Sequence, residues 1–294
     1  MDPASLGLTC AFATSAAWGT ADYLAAHVTR RIGVTRTLLA IQGAGVPLLL
    51  VGWVLLAPRP PTPASLAWIS LAAAAFAVGY LSFFYGLRVG AVSLVSPISS
   101  AGALIPVSAG IVLFGEKVSG SALGGIVLTL TGLAIMLIDT RAVHDLGSVG
   151  RRRGIVAGVA TMLAWGSGTA LLLPLVKEMG GFAPIALLRL EILLAMVAWF
   201  VWRGAASRTE SAALGWSPAL WAFIVPAAIL DLGAFVSYGF ALQTVPASIA
   251  APIASAYPLI TIVIARRLLH ERLSRKEWGG VAVTLTGTAI LGFG

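Results

Sequence analysis

Charge is what this sequence has least of. Asp, Glu, Lys and Arg make up only 10% of its 294 residues, where a soluble domain carries about 25%. So few charges cannot cover a water-facing surface of that size, which excludes an ordinary soluble globular protein. Cysteine is nearly missing too. Cys10 stands alone inside an apolar stretch, so neither an intrachain disulfide nor a cysteine-based zinc site can form. The three histidines, His27, His144 and His270, fall in or near different connections, which argues against a metal centre. No P-loop is present, so direct use of ATP by this chain is not expected. No cluster of nucleophile and base can be assembled either, so neither an enzyme activity nor a cofactor is expected.

The net charge of +8 raises nucleic acid as a partner. The basic residues sit in short gaps between apolar stretches, however, with no groove of interleaved aromatics, so no nucleic-acid partner is expected. The opening MDPASLGLTC lacks the basic region of a secretory signal. Its apolar run reads as a first span kept in the protein.

Long hydrophobic runs are what the chain does have. Hydrophobic residues make up 59% of it, and the mean hydropathy is +0.96. A helix needs about 20 mostly apolar residues to cross the hydrocarbon of a bilayer. Ten such runs can be marked, over residues 6–26, 35–56, 65–87, 93–114, 119–138, 154–176, 182–202, 218–242, 248–268 and 278–293. Turn chemistry separates them: APRPPTP after the second, GEKVSG after the fourth, TVPAS after the eighth. The longest polar connection, DTRAVHDLGSVGRRR, falls at the midpoint. The expected fold is all-α, a polytopic membrane protein. A first five-helix unit would occupy 1–138, a basic cytoplasmic linker 139–153, and a second unit 154–294.

The two units repeat one another. Residues 97–135 and 252–290 align without gaps at about 17 identities in 39 positions. Matches of apolar residues are cheap in membrane helices. A matched Pro97/Pro252, Ser100/Ser255, Glu116/Glu271, Gly124-Gly125/Gly279-Gly280 and Thr-Leu-Thr-Gly (129–132 and 284–287) in one register are not. Weaker echoes pair Trp18-Gly19 with Trp165-Gly166 and Tyr85-Gly86 with Tyr238-Gly239. An odd number of spans per unit means that the second copy enters the membrane from the opposite side and lies inverted. The basic residues agree. One set of connections collects about 15 of the Lys and Arg residues and the other has Arg59, Lys117 and Lys177. The rich side is expected to be cytoplasmic, with both termini on the other face. Inverted repeats of this kind build many secondary transporters, with the substrate site between the repeats.

Ten spans in two halves, each carrying Pro…Gly-Glu-x-x-Ser…Gly-Gly…Thr-Leu-Thr-Gly or a close variant, resemble the drug/metabolite transporter superfamily, in particular its ten-helix EamA-type branch. The Trp-Gly pairs and the Tyr-rich third span are similar to YddG-type exporters of aromatic and other amino acids. The resemblance implies a basket of ten helices around a central cavity, lined by the first, third, fourth, sixth, eighth and ninth, with the fifth and tenth at the periphery. It also implies a small-molecule substrate such as an amino acid. The second copy departs from the pattern in one place, with His270-Glu271 where the first has Gly115-Glu116.

Charges within spans mark either function or an ion pair. Asp231, near the centre of the eighth span, reads equally as a carboxylate for a substrate amino group or a proton and as a structural partner of Arg189. Arg189 and Glu191 point about 200° apart on one helix and read as structural. Asp22 lies toward the cytoplasmic end of the first span as marked and reads chiefly as a side chain reaching the interface, with contact to the substrate as the alternative. The candidate substrate-binding residues are Trp18, Tyr80, Ser99, Ser100, Trp165, Asp231, Ser255 and Tyr257. The candidate hinges are Pro97, Pro106, Pro252 and Pro258, since a proline within a span frees a carbonyl and permits bending. The competing reading makes those serines bond to their own helix and the small residues serve packing. Trp53, Trp68, Trp202 and Trp278 fit an interfacial belt. The function expected is secondary transport with export of amino acids, and the alternative is a channel-like path for small polar solutes. A bacterial inner membrane, a single copy, contact with lipid and protons as a candidate coupling ion complete the expectation.

Overall fold

A computed structural model describes residues 2–56, 58, 60–90, 92–138, 148–206, 217–269 and 275–293. His270, Glu271 and the linker from 139 to 147 lie outside them. Ten helices are described, and no strand occurs among the described residues. They are α1 (Pro3–Ile32), α2 (Val34–Leu56), α3 (Pro63–Val89), α4 in two pieces, α4a (Val92–Ser100) and α4b (Leu104–Phe114), and α5 (Gly120–Ile138). The second set is α6 (Ser148–Met179), α7 (Ala183–Ala206), α8 (Trp221–Thr244), α9 in pieces α9a (Ala247–Ala254) and α9b (Pro258–Leu269), and α10 (Arg275–Phe293).

Their ends follow local chemistry. Asp2 caps α1 through the Ser5 backbone N–H at 2.8 Å, with Pro3 in the first turn. Thr62 and Ser65 form a reciprocal capping box on α3. Glycine closes α1 at Gly33 (φ 82°) and α4b at Gly115 (φ 63°). The left-handed backbone at Gly115 turns the chain sharply out of α4b, and a side chain there would be strained.

Among the described residues, seven helices or broken helices are long and apolar enough to cross a membrane on length and hydropathy alone, the broken α4 and α9 included. The others have visible reasons to fall short. Helix α1 buries Thr14, Ser15, Asp22 and Thr29, α10 opens on Arg275 and Lys276, and α5 offers a shorter apolar stretch, Gly120–Gly132. The molecule is inside-out by soluble standards. Its most exposed side chains include Val54 (78%), Leu55, Val112 and Leu113, while Thr14, Thr37, Ser96, Thr161 and Ser248 are buried. Trp68, Trp202 and Trp278 are exposed as a belt requires. Trp53 instead packs against Phe182, with ring centroids 6.4 Å apart.

The halves interlock through paired helix contacts. The most extensive helix contacts are α1 with α8, α3 with α6, and α5 with α10, and exchanging the halves maps this set onto itself. The correspondence holds for single atoms. A Cβ on Gly19 would stand 2.6 Å from the Tyr257 carbonyl oxygen and from Ile260, and one on Gly166 would stand 2.6 Å from the Gly102 carbonyl oxygen and from Ile105. Gly102/Tyr257 and Ile105/Ile260 are the same positions of the repeat. On α5 and α10, a Cβ on Gly132 would lie 2.7 Å from the Gly280 oxygen, and one on Gly287 would lie 2.7 Å from the Gly125 oxygen. The repeated Thr-Leu-Thr-Gly is therefore a helix-crossing motif in which backbones meet.

Candidate functional site

A cavity of about 80 Å³ lies between the halves, room for a few waters. Helices α1, α3, α4, α6, α8 and α9 line it, and Ile41 of α2 adds to the wall. All eight candidate binding residues face it: Trp18, Tyr80, Ser99, Ser100, Trp165, Asp231, Ser255 and Tyr257. Of the four candidate hinges only Pro106 does.

The line-up follows from two matched breaks. Helix α4 loosens into a 3₁₀ turn over Ala101–Ala103, and α9 breaks between Ala254 and Pro258. Pro97 and Pro252 lie inside the pieces before the breaks, and Pro258 and Pro106 stand in the first turn after them. Proline removes a backbone donor, so the carbonyl four residues before it loses its helical partner. The serines beside the breaks bond to other carbonyls of their own helices. The Ser100 hydroxyl donates to the Pro97 carbonyl at 2.8 Å, and Ser255, its repeat counterpart, donates to the Pro252 carbonyl at 2.7 Å. Ser99 donates to Val95 O at 2.8 Å. The three hydroxyls thus border the cavity with their protons engaged on their own helices, leaving oxygen lone pairs toward it.

Aromatic rings make two walls. Trp18 meets Phe235, Tyr238 and Tyr257 edge-on at 5.1, 5.4 and 6.0 Å. Trp165, its counterpart, meets Tyr80 at 5.4 Å and Phe83 at 4.8 Å. The Trp165 indole N–H is buried with no partner among the described residues, although a buried indole normally finds one.

The charges are arranged unequally. Arg189, 2% exposed, reaches from α7 and donates to Asp231 at 2.6 Å. It also donates to the Tyr80 hydroxyl oxygen, and that hydroxyl donates in turn to Asp231, 3.1 and 3.2 Å from its two oxygens. The guanidinium lies 5.0 Å from the Phe235 ring centre. The ion pair weighed from the sequence exists, and Asp231 still borders the cavity. Glu191 is half-buried, away from this cluster. Asp22 differs from the interfacial side chain expected. It is 8% exposed, lines the cavity, and accepts a hydrogen bond from Ser96 at 2.8 Å. Helix α1 runs on to Ile32, so Asp22 lies about 15 Å from its end, too deep to reach the interface.

Sequence reasoning also passed over Glu116. Its carboxylate accepts from the backbone N–H groups of Ala247 and Ser248, both at 2.9 Å, at the N-terminus of α9a. Lys177 at the end of α6 lies 3.8 Å away. This pins the turn after α4b to the opposite half with charge-assisted bonds on a helix N-terminus. The signal was present, as a glutamate matched in both copies of a turn.

A family model described as the EamA-like transporter family matches residues 5–138 and again 152–293. The chain belongs to the EamA-like transporter family. This EamA-like transporter is also 23% identical over 260 residues, 85% of each chain, to an Escherichia coli (strain K12) protein named "Probable amino-acid metabolite efflux pump". Its fold matches a solved structure titled only "Crystal structure of protein", with a TM-score of 0.74 at 14% identity, over 97% of this chain and 95% of the other. The transporter is thus an integral membrane protein of two-repeat fold, built to move a small molecule.

Proposed function

We propose that this EamA-like transporter is a secondary transporter that exports amino acids, aromatic ones included, or related small metabolites, by alternating access. The observation that carries the reading is the cavity, polar and aromatic by turns, lined by both halves, whose fourth and ninth helices break at matched positions. Two halves of like build can adopt two mirror-related tilts, each opening the cavity to one face. Trp18, Trp165, Tyr80 and Tyr257 stack on the substrate in this scheme. Asp231, Ser99, Ser100 and Ser255 meet its polar groups, and Pro97, Pro106, Pro252 and Pro258 permit the bending. The name of the Escherichia coli relative supports the substrate class. The duplication boundaries at 138 and 154, the cytoplasmic placement of the basic linker between them, both termini on the far side of a bacterial inner membrane, and action as a single copy all belong to the same proposal.

The test is counterflow. Purified protein in liposomes loaded with unlabelled L-phenylalanine should accumulate external labelled L-phenylalanine with saturable kinetics, and Asp231→Asn should impair it. Flux that never saturates would make the protein a channel. No flux across a broad panel of amino acids and small metabolites would refute the substrate class.

A further inference from the structure

A second hollow lies outside the central cavity. It is an open groove of about 780 Å³ where α3 of the first half meets α6 of the second. Beside it the two helices touch almost backbone to backbone. A Cβ on Gly90 would stand 3.1 Å from the Gly154 Cα, and one on Gly86 would stand 3.1 Å from the Ala157 Cβ. Spans approach this closely through small residues, and the larger side chains next to them wall the groove. Ser82 and Tyr85 form one wall, three residues apart on one face of α3. Arg152, Arg153, Val156 and Ala160 of α6 form the other.

The groove grades from charge to hydrocarbon. The apolar stretch of α6 long enough to cross a membrane begins at Arg152, which puts both arginines at the level of the lipid headgroups. Val156 and Ala160 follow about 6 and 12 Å further along the helix axis, and Val156 is 61% exposed. Among the described residues, no carboxylate lies within ion-pair distance of either arginine, and neither the Tyr85 nor the Ser82 hydroxyl has a hydrogen-bond partner. Both arginines fall in the first two turns of α6, where the helix dipole is already positive. Cations there raise the potential further, and an anion relieves it. No acidic side chain lines the groove, so a headgroup that also carries an ammonium finds no partner for it.

The other half has no such groove. Counted from the Trp-Gly pairs, the counterparts of Arg152 and Arg153 on α1 are Ser5 and Leu6. Counted from the Tyr-Gly pairs, the counterparts of Tyr85 and Ser82 on α8 are Tyr238 and Phe235, which pack on Trp18 in the core. The repeat therefore conserves the helix crossing and leaves a basic, open groove on one copy alone.

We propose that this groove is a binding site for one anionic phospholipid. The phosphate sits between Arg152 and Arg153, the ester oxygens take the Tyr85 and Ser82 hydroxyls, and an acyl chain lies along Val156 and Ala160. Guanidinium groups match phosphate oxygens in geometry as well as charge, and basic pockets between spans suit such headgroups. Each half supplies one wall, so the bound lipid bridges the halves at one of their most extensive contacts. The site is independent of what the central cavity carries.

The test is lipid titration of the purified, delipidated full chain in a neutral detergent, read by native mass spectrometry and by the thermal unfolding midpoint. Dioleoylphosphatidylglycerol should fill one tight site, with an affinity on the order of tenfold above that of dioleoylphosphatidylcholine, and should raise the midpoint. Glycerol 3-phosphate, the headgroup chemistry without chains, should bind far more weakly. Arg152→Gln with Arg153→Gln should abolish the preference for the anionic lipid. Arg31→Gln with Arg36→Gln removes the same charge at the α1–α2 junction, outside the groove, and should keep it. Val156→Trp fills the groove and spares both arginines, and should weaken phosphatidylglycerol binding roughly tenfold. If the double arginine variant does not fold, Val156→Trp and the comparison of the two lipids decide the matter. Equal binding of the two lipids, a preference lost equally with Arg31 and Arg36, or binding unaltered by Val156→Trp would overturn the site, and the arginines would then mark only a face of the membrane. Glycerol 3-phosphate bound as tightly as phosphatidylglycerol would make it a site for free phosphate esters and overturn the lipid.

Discussion

Helices α1 and α6 hold matching places in the two halves, and where they agree and differ separates scaffold from chemistry. Both carry Trp-Gly, both glycines receive a carbonyl and an isoleucine from a broken helix, and both indoles pack edge-on against aromatic rings. After the glycine the residues diverge, and three positions on, Asp22 stands on one helix and Thr169 on the other. Backbone approaches and ring contacts are shared by the two halves. Charge is not shared between these two positions. The neutralised Asp231 and the unpaired Asp22 extend the contrast, being two carboxylates in one hollow with opposite electrostatic histories.

The largest effect expected comes from breaking the pair. Arg189→Leu leaves Asp231 buried and uncompensated, which costs about 3–5 kcal/mol. Thermal unfolding in detergent should show a large fall in midpoint. Arg189→Leu combined with Asp231→Leu should recover most of the loss, since an apolar pair replaces a dry ionic one. A double variant as unstable as the single would mean that Arg189 acts by packing on Phe235 rather than by charge.

Symmetry of the scaffold predicts the next effect. Gly19→Ala and Gly166→Ala each press a methyl onto a carbonyl oxygen at 2.6 Å, and overpacking of this kind costs about 1–3 kcal/mol. The two costs should be alike. Gly43 and Gly233 have nothing within 4 Å of a built Cβ, so alanine there should be neutral or stabilise by up to about 1 kcal/mol. Unequal costs at Gly19 and Gly166 in thermal unfolding would show that the halves are not mechanically equivalent.

Much of this architecture was legible in the sequence, and the exceptions have physical causes. The ten helices were readable because lipid demands long apolar runs and the turns between them carry Pro, Gly and Ser. The duplication was readable because matched Pro, Glu, Gly-Gly and Thr-Leu-Thr-Gly fall in one register of the two halves. Trp18 and Trp165 were found through the repeat, and Asp231 through the cost of a charge at mid-span. Asp22 was misplaced because hydropathy ends the first span at about residue 26, whereas α1 keeps its hydrogen bonds to Ile32 and carries the carboxylate deep. The break of α9 at Ser255–Tyr257 was not legible, since proline says that a helix can break and not where. Glu116 read as a mark of the repeat because its partners are backbone N–H groups 131 and 132 residues away, which no local pattern contains.

Glu116 sets the next step down. Glu116→Gln keeps the shape and removes the charge from two bonds to the α9a N-terminus. Charge-assisted bonds of this kind are about twice as strong as neutral ones, so about 1–2 kcal/mol should be lost. Its second effect should be kinetic. The pin ties the turn after α4b to the other half, so exchange of the Ala247 and Ser248 amide protons with deuterium should quicken in the variant. Unchanged exchange would mean that the contact is incidental to how this end of the molecule closes.

The smallest effect on stability is expected where the chemistry is richest. Asp22→Asn and Asp231→Asn are the same substitution in the same cavity, made against opposite surroundings. At Asp231 it strands the Arg189 guanidinium and should cost several kcal/mol, as any broken buried pair does. At Asp22 it removes a carboxylate that no cation among the described residues pairs with, and the new amide oxygen still accepts from Ser96. Asp22→Asn should therefore unfold within about 1 kcal/mol of the wild type, or later than it. A fall as deep as that of Asp231→Asn would mean that Asp22 is part of the scaffold after all, and that its divergence from Thr169 is structural.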